Sequence, residues 1–236
     1  MIELTNIGHA YGTKSVLTNL SLSIDADQIT CLLGGSGSGK TTLLRLIAGL
    51  EIPQSGEIAI AGETVTKNAQ LRIPPHKRNI GFIFQDLALW PHFSVYKNIA
   101  FGLEERKEKN IQEKVREILN FFELQGYENK YPHQLSGGQK QLVAIARSLV
   151  LQPTILLMDE PLANLDVKLK HKILAHIKNL KQQFGLTIVY VTHDHQEAFA
   201  IADNIVILNK GNIEETGTVA QIKASTNEFV TYFLEY

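Results

Sequence analysis

The stretch GGSGSGKT, residues 34–41, constrains this chain more than any other. It fits the pattern G-x-x-x-x-G-K-[ST] and lies between a short apolar run, residues 29–33, and the amphipathic segment KTTLLRLIAGL. The apolar run reads as a strand buried on both faces. The amphipathic segment reads as a helix that closes near Gly49. Strand, glycine loop and helix in that order make a cradle for a polyphosphate. Glycines let backbone N–H groups turn inward around the anion, where a Cβ would block the approach. Lys40 adds a mobile positive charge for β- and γ-phosphates, and the Thr41 hydroxyl can ligate Mg²⁺. The following helix offers its positive dipole end to the same anion.

The rest of the chain supplies a frame for that loop. IELTNI, VLTNLSLSI and GEIAIAG read as strands, with Leu20, Leu22 and Ile24 at period two. Residues 110–124 carry apolar side chains at helical spacing, with Gly126 as a stop signal. A further helix is expected over 138–151, ahead of Pro153. Strand ILLMD, helix 167–184 ending at Gly185, strand TIVYV, helix 195–202 and strand NIVIL then alternate. Alternation of that kind indicates a parallel sheet flanked by helices. The expected fold is therefore α/β: a P-loop core on a parallel sheet, an N-terminal antiparallel β subdomain and an inserted helical subdomain. The insert spans roughly 86–152, and the core about 1–85 and 153–236, all within one domain.

Two strand ends carry candidate chemistry. ILLMDEP ends in adjacent acids at the edge where ligands of open α/β sheets bind. Asp159 is placed to hold the Mg²⁺ shell, and Glu160 to orient or deprotonate an attacking water. TIVYV ends in Thr192, His193 and Asp194, which should set His193 beside Glu160 to donate to a γ-phosphate. LSGGQKQLVAIARSL opens with Ser136 as an expected N-cap, followed by two glycines and a long helix. That is a second helix N-terminus suited to phosphate, without a lysine of its own. One chain thus holds two phosphate-facing elements.

GGSGSGKT, Gln85, LSGGQ, LLMDEP and VTHD, in this order, resemble the ATP-binding cassette (ABC) ATPase family over nearly the whole chain. The resemblance implies an ATPase using ATP and Mg²⁺ in a head-to-tail homodimer, with each ATP clasped between two chains. Gly34, Gly35, Ser36, Gly37, Ser38, Gly39, Lys40, Thr41 and Thr42 of one chain would face Ser136, Gly137, Gly138 and Gln139 of the other. It further implies that Tyr11 stacks on adenine, that Gln85 senses Mg²⁺ with Thr41 and Asp159, and that Asp166 in LANLD lies on the loop crossing the interface. Glu160, His193 and Lys40 would be the catalytic groups. Gly35 stands where proline is common, Ala163 where serine is usual, and Leu142 where arginine is usual.

NIGFIFQDLALWPHFSVYKNIAFGL and GNIEETGTVAQI are most similar to import ATPases of the ferric iron, sulfate, polyamine and maltose group. Many of those carry a C-terminal regulatory domain, which is expected to be missing here. The implied partners are integral membrane permease subunits and a substrate-binding protein, at the cytoplasmic face of the membrane. Leu87, Leu89, Trp90, Pro91 and Phe93 are expected to line a groove for a permease helix.

Composition agrees with a partner-recruited soluble subunit. Net charge is −1, from 23 basic and 24 acidic residues, so bulk electrostatics give no reason to expect a nucleic-acid partner. The N-terminus lacks the pattern of a signal peptide, and no apolar stretch approaches the roughly 20 residues of a membrane helix. The single cysteine, Cys31, is expected in a buried strand. ABC-type ATPases of DNA repair would need long coiled-coil insertions between the nucleotide motifs, and translation-associated relatives usually pair two cassettes in one chain. The alternatives to an import subunit are such a non-transport ATPase, of DNA repair or translation, or an exporter subunit.

Overall fold

The computed structural model describes residues 1–163 and 165–235, so Asn164 of the LANLD stretch and Tyr236 lie outside the described residues. Two sheets form its frame. The first runs β2–β1–β4–β5–β6 and comprises β1 (Ile2–Tyr11), β2 (Lys14–Ile24), β4 (Ser55–Ile60), β5 (Glu63–Lys67) and β6 (Gln70–Leu71), antiparallel throughout. The second follows the order β11–β10–β3–β9–β8–β7. Its members are β3 (Ile29–Leu33), β7 (Ile80–Ile83), β8 (Ile155–Asp159), β9 (Thr187–Val191), β10 (Asn204–Asn209) and β11 (Asn212–Gly217). They pair in parallel except at the β10–β11 edge. The sheet is thus mixed, with a parallel centre and one antiparallel edge strand that the βα alternation did not announce.

Every residue of β3, β8 and β9 is buried. The period-two pleat sends Cys31, Leu33, Met158 and Tyr190 to one face, and Leu32, Leu157, Val189 and Val191 to the other. The second face meets the antiparallel sheet, with helix α1 (Lys40–Ala48) wedged between by Leu43, Leu44, Leu46 and Ile47. The first face is covered by α2 (Val95–Glu105), α3 (Ile111–Phe121), α4 (Gly137–Leu149), α5 (Val167–Phe184) and α6 (His195–Ile201). Short helices α7 (Val219–Lys223) and α8 (Glu228–Glu235) complete the described chain. Among the described residues no helix is long and apolar enough to cross a membrane.

Helix ends follow local chemistry. Gly49 caps α1 in the left-handed region, φ 77°, and its N–H reaches the carbonyls of Arg45 and Leu46. Gly185 closes α5 in the same way at φ 59°. Helix α3 differs from expectation, because it stops at Phe121 rather than running on to Leu124. Glu123 takes the left-handed position, φ 56°, and the Leu124 N–H bonds back to the Leu119 carbonyl at 2.8 Å. Phe122 and Leu124 are buried all the same. Their apolar spacing continued the helical pattern through a turn, and Gly126 lies beyond it.

One buried guanidinium ties α1 to the antiparallel sheet. Arg78, 5% exposed, donates to the carbonyls of Leu46, Ile47, Val65 and Ile73 and to Thr66 Oγ1. It therefore satisfies carbonyls at the C-terminal end of the helix whose other end carries the phosphate loop. Burial pulls its pKa down to about 10.

Candidate functional site

The loop between β3 and α1 is shaped by glycines at two tight points. A Cβ on Gly34 would stand 2.3 Å from the Leu208 carbonyl oxygen, and one on Gly39, at φ 104°, 2.7 Å from Leu17 Cδ2. Gly35, by contrast, faces open space. Lys40 is buried, and its Nζ donates to the Gly34 and Gly35 carbonyls at 2.7 and 2.9 Å. Burial lowers its pKa, while Glu160 and Asp159 pull the other way. The Thr41 hydroxyl donates to Asp159 Oδ1 at 2.9 Å. Burial holds the Asp159 carboxyl above its ordinary range despite that bond, and Glu160 adds to the effect.

Strand pairing sets the next two groups side by side. β8 and β9 run parallel with Asp159 opposite Val191, so the residues just past each strand share one edge. Glu160 leaves β8 in the left-handed region, φ 43°, with its N–H on the Val191 carbonyl at 3.0 Å. Its Oε2 lies 3.1 Å from His193 Nδ1. Both line a cleft of about 680 Å³ with Tyr11, Lys14, Val16, Gln85 and the loop residues Ser36 to Thr42.

An adjoining hollow of about 410 Å³ is lined by Thr41, Arg45, Gln85, Asp86 and Asp159. A hydroxyl, an amide and carboxylates are hard oxygen donors, which fit Mg²⁺. Among the described residues no three His, Cys, Asp or Glu side chains converge as a metal cage. Such sparse donors suit an ion that keeps waters and shares its shell with ligand phosphates.

Tyr11 ends β1 at the cleft mouth, 48% exposed, and so is no core residue. Its hydroxyl donates to Glu51 and lies 3.4 Å from Thr42 Oγ1, and burial and Glu51 together raise its pKa. Glu51 also meets Arg45 at 3.2 Å and His9 at 3.3 Å, and the His9 ring stands edge-on to Tyr11. This supporting set gave no signal in the sequence, since its members are scattered and match no motif.

Ser136 caps α4: its Oγ accepts from the Gln139 N–H at 3.3 Å, and Gln139 Oε1 accepts from the Ser136 N–H at 2.9 Å. Ser136 and Gly137 are exposed, whereas Gly138 is buried against Leu169. Asp166 caps α5 through the Leu169 N–H at 3.0 Å. None of Ser136, Gly137, Gly138, Gln139 and Asp166 lines the Lys40 cleft of its own chain.

After Gln85 the backbone is strained and clamped. Leu87 and Ala88 both adopt positive φ, 63° and 44°. Arg147 of α4 donates to both of their carbonyls and lays its guanidinium 5.0 Å from the Trp90 ring centre. Buried Asn98 staples the next turn, accepting from the Trp90 N–H and donating to the carbonyls of Trp90, Phe93 and Ser94. Trp90 lines a groove of about 350 Å³ with Phe82, Phe84, Ala88, Phe101 and Arg147. Leu87 and Leu89 instead pack against the core, and neither Pro91 nor Phe93 lines the groove.

A family model described as ABC transporter matches residues 17–163, which hold the phosphate loop, the LSGGQ helix and the paired acids. The chain belongs to the ABC transporter family. It is 44% identical over 237 residues to a spermidine/putrescine import ATP-binding protein of Clostridium acetobutylicum, with 99% of this chain and 66% of that relative aligned. It is 46% identical over 226 residues to a sulfate/thiosulfate import ATP-binding protein of Chromobacterium violaceum, with 95% of this chain and 60% of the relative aligned. The chain thus spans about two thirds of the length of these relatives. Among solved structures, the dimeric bacterial ABC transporter cassette MJ0796 superposes with a TM-score of 0.81 at 33% identity, covering 93% of this chain and 99% of that one.

Proposed function

We propose that this cassette binds and hydrolyses ATP as one of two identical subunits that drive solute import through separate permease subunits, with a substrate-binding protein delivering the cargo. The observation carrying this reading is a division of parts. Lys40, Glu160 and His193 line one cleft, while Ser136 and Gly137 are exposed and, with Gly138 and Gln139, lie outside that cleft. A two-fold dimer would bring the exposed Ser136 helix end of one copy over the cleft of the other, making two equal sites. Lys40 exchanges its carbonyl partners for β- and γ-phosphate oxygens, the glycine loop N–H groups wrap the same anion, and Tyr11 stacks on the base. Thr41, Asp159 and Gln85 would hold Mg²⁺, which would supply charge to offset that of the phosphates. Glu160 accepts a proton from water. Protonated on both ring nitrogens, His193 would donate Nδ1–H to Glu160 and Nε2–H to the γ-phosphate.

Each Ser136 helix end engages the γ-phosphate in the other copy's cleft only in the closed dimer, so binding favours closure by differential affinity and hydrolysis releases it. The permease would read closed against open through the Trp90 groove, which places the subunit peripherally at the cytoplasmic membrane face. Glu160→Gln should retain ATP binding, cut turnover by roughly 10² or more, and trap an ATP-bound dimer visible by size-exclusion chromatography with light scattering. Normal turnover in that variant would refute the assignment of Glu160.

A further inference from the structure

The chain on both sides of His193 is bonded to an ionic cluster, centred on buried Glu197, for which the reaction above has no use. Glu197 of α6 is 4% exposed. Its Oε2 accepts from the Tyr190 hydroxyl at 2.8 Å and the Thr192 hydroxyl at 2.9 Å, and its Oε1 lies 2.7 Å from Lys170 Nζ. Asp194 joins the cluster: Oδ1 accepts from the N–H groups of Gln196 and Glu197, Oδ2 lies 3.4 Å from Lys170, and its own N–H donates to Thr192 Oγ1. Both chain neighbours of His193 are therefore bonded into the cluster. Lys170 arrives from α5, one turn past Asp166, and its N–H bonds to the Asp166 carbonyl at 2.9 Å.

Two physical points give this arrangement meaning. The His193 side chain is 61% exposed, so surrounding packing does not fix the ring, and its placement depends on the backbone of the turn that bears it. The Lys170–Glu197 pair, with the glutamate buried and the lysine partly so, is moreover a poor way to add stability, because desolvation offsets much of the charges' attraction. Hydrogen-bonded charges do impose one geometry on the segments they join. We infer that Glu197 and Lys170 are positioning residues for His193, holding the 192–194 turn in the one geometry that meets Glu160 and anchoring it to the helix that starts at Asp166. A copy docking against the Asp166 loop would then bear on His193 through Lys170 and its contacts with Glu197 and Asp194. This inference rests on the proposed roles of Glu160 and His193.

A double-mutant cycle on the full chain separates positioning from plain structural support. Glu197→Gln keeps the side-chain shape but withdraws the charge that holds Lys170. The expected result is a ten- to hundredfold lower kcat, with the KM for ATP changed less than twofold. In a His193→Ala background the same substitution should change the already low rate less than twofold, because the ring it positions is gone. Lys170→Met should show the same non-additivity, and it serves as the second probe should Glu197→Gln fail to fold. Equal fold-losses with and without His193, or an unchanged kcat in both single variants, would overturn the positioning role while leaving the ATPase reading intact. A wild-type chain without ATP turnover, or one indifferent to His193→Ala, would instead overturn the reading beneath it.

Discussion

Replacing Arg78 by methionine tests how the phosphate loop is held from behind. The guanidinium makes five hydrogen bonds. The acceptors do not depend on it equally. The Leu46 carbonyl keeps the Gly49 N–H, and the Val65 carbonyl keeps those of Arg72 and Ile73. The Ile47 and Ile73 carbonyls and Thr66 Oγ1 are the groups left exposed to loss. At about 1–3 kcal/mol for each buried polar group left unmatched, the gross cost is about 3–9 kcal/mol. Against this stands the relief of a buried charge. A pKa pulled down to about 10 from 12.5 corresponds to about 3 kcal/mol at about 1.4 per unit. The methionine stem preserves most apolar contact, so the net expectation is a destabilisation of about 3 kcal/mol. For a chain of 236 residues that lowers Tm by about 6–12 °C. Far-UV circular dichroism melts of both proteins at one concentration measure it. Arg78→Lys should recover only part of the loss, because three donors on a point charge cannot reproduce a planar fork. A methionine variant melting within 1 °C of wild type, or a lysine variant fully restored, would show that the carbonyl cage contributes nothing.

Asp159→Asn should abolish hydrolysis yet raise the melting temperature at pH 7, since burial holds this carboxyl above its ordinary value. The sign follows from linkage: the group's contribution is fully present below the unfolded value of about 3.9 and is lost as pH rises through the raised folded value. Melts from pH 3 to 7 should therefore be flatter in the asparagine variant. Ser136→Ala should cost about 1 kcal/mol through the lost cap. Ser136→Asp should melt like wild type but fail to form the ATP-bound dimer in the Glu160→Gln background, and normal dimerisation there would remove Ser136 from the γ-phosphate. Trp90→Ala should lower transport in reconstituted permease complexes while the ATPase rate of the isolated subunit stays within about twofold; loss of folding instead would count against the groove.

The parts legible in the sequence are those in which local chemistry and burial agree. β3, β8 and β9 are short apolar runs because both faces are covered, and α5 begins at a capping aspartate and stops at a glycine. β7 escaped notice because IGFI is four residues long and interrupted by Gly81, where a Cβ would sit tightly against Leu156 and Pro153. Helix α2 was hidden although Ser94 caps it, because its apolar positions run straight on from the irregular Leu87–Phe93 turn. Among candidate site residues, those in motifs could be named. The positive φ of Leu87, Ala88 and Glu160 could not, because no residue type there favours it and only tertiary bonds impose it. The Lys170–Glu197 contact joins helices 27 positions apart in sequence numbering, at no spacing that a pattern would flag.

The Arg147 fork has a mechanical consequence. It grips the Leu87–Ala88 carbonyls near one end of α4, and Ser136 stands at the other end. From Ser136 to Arg147 the helix rises through eleven residue steps, a rod of about 16 Å. A swing of about 10° about the gripped end carries Ser136 sideways by about 3 Å, the length of one hydrogen bond. A modest push in the aromatic groove would thereby be enough to make or break the phosphate contact proposed for the far tip.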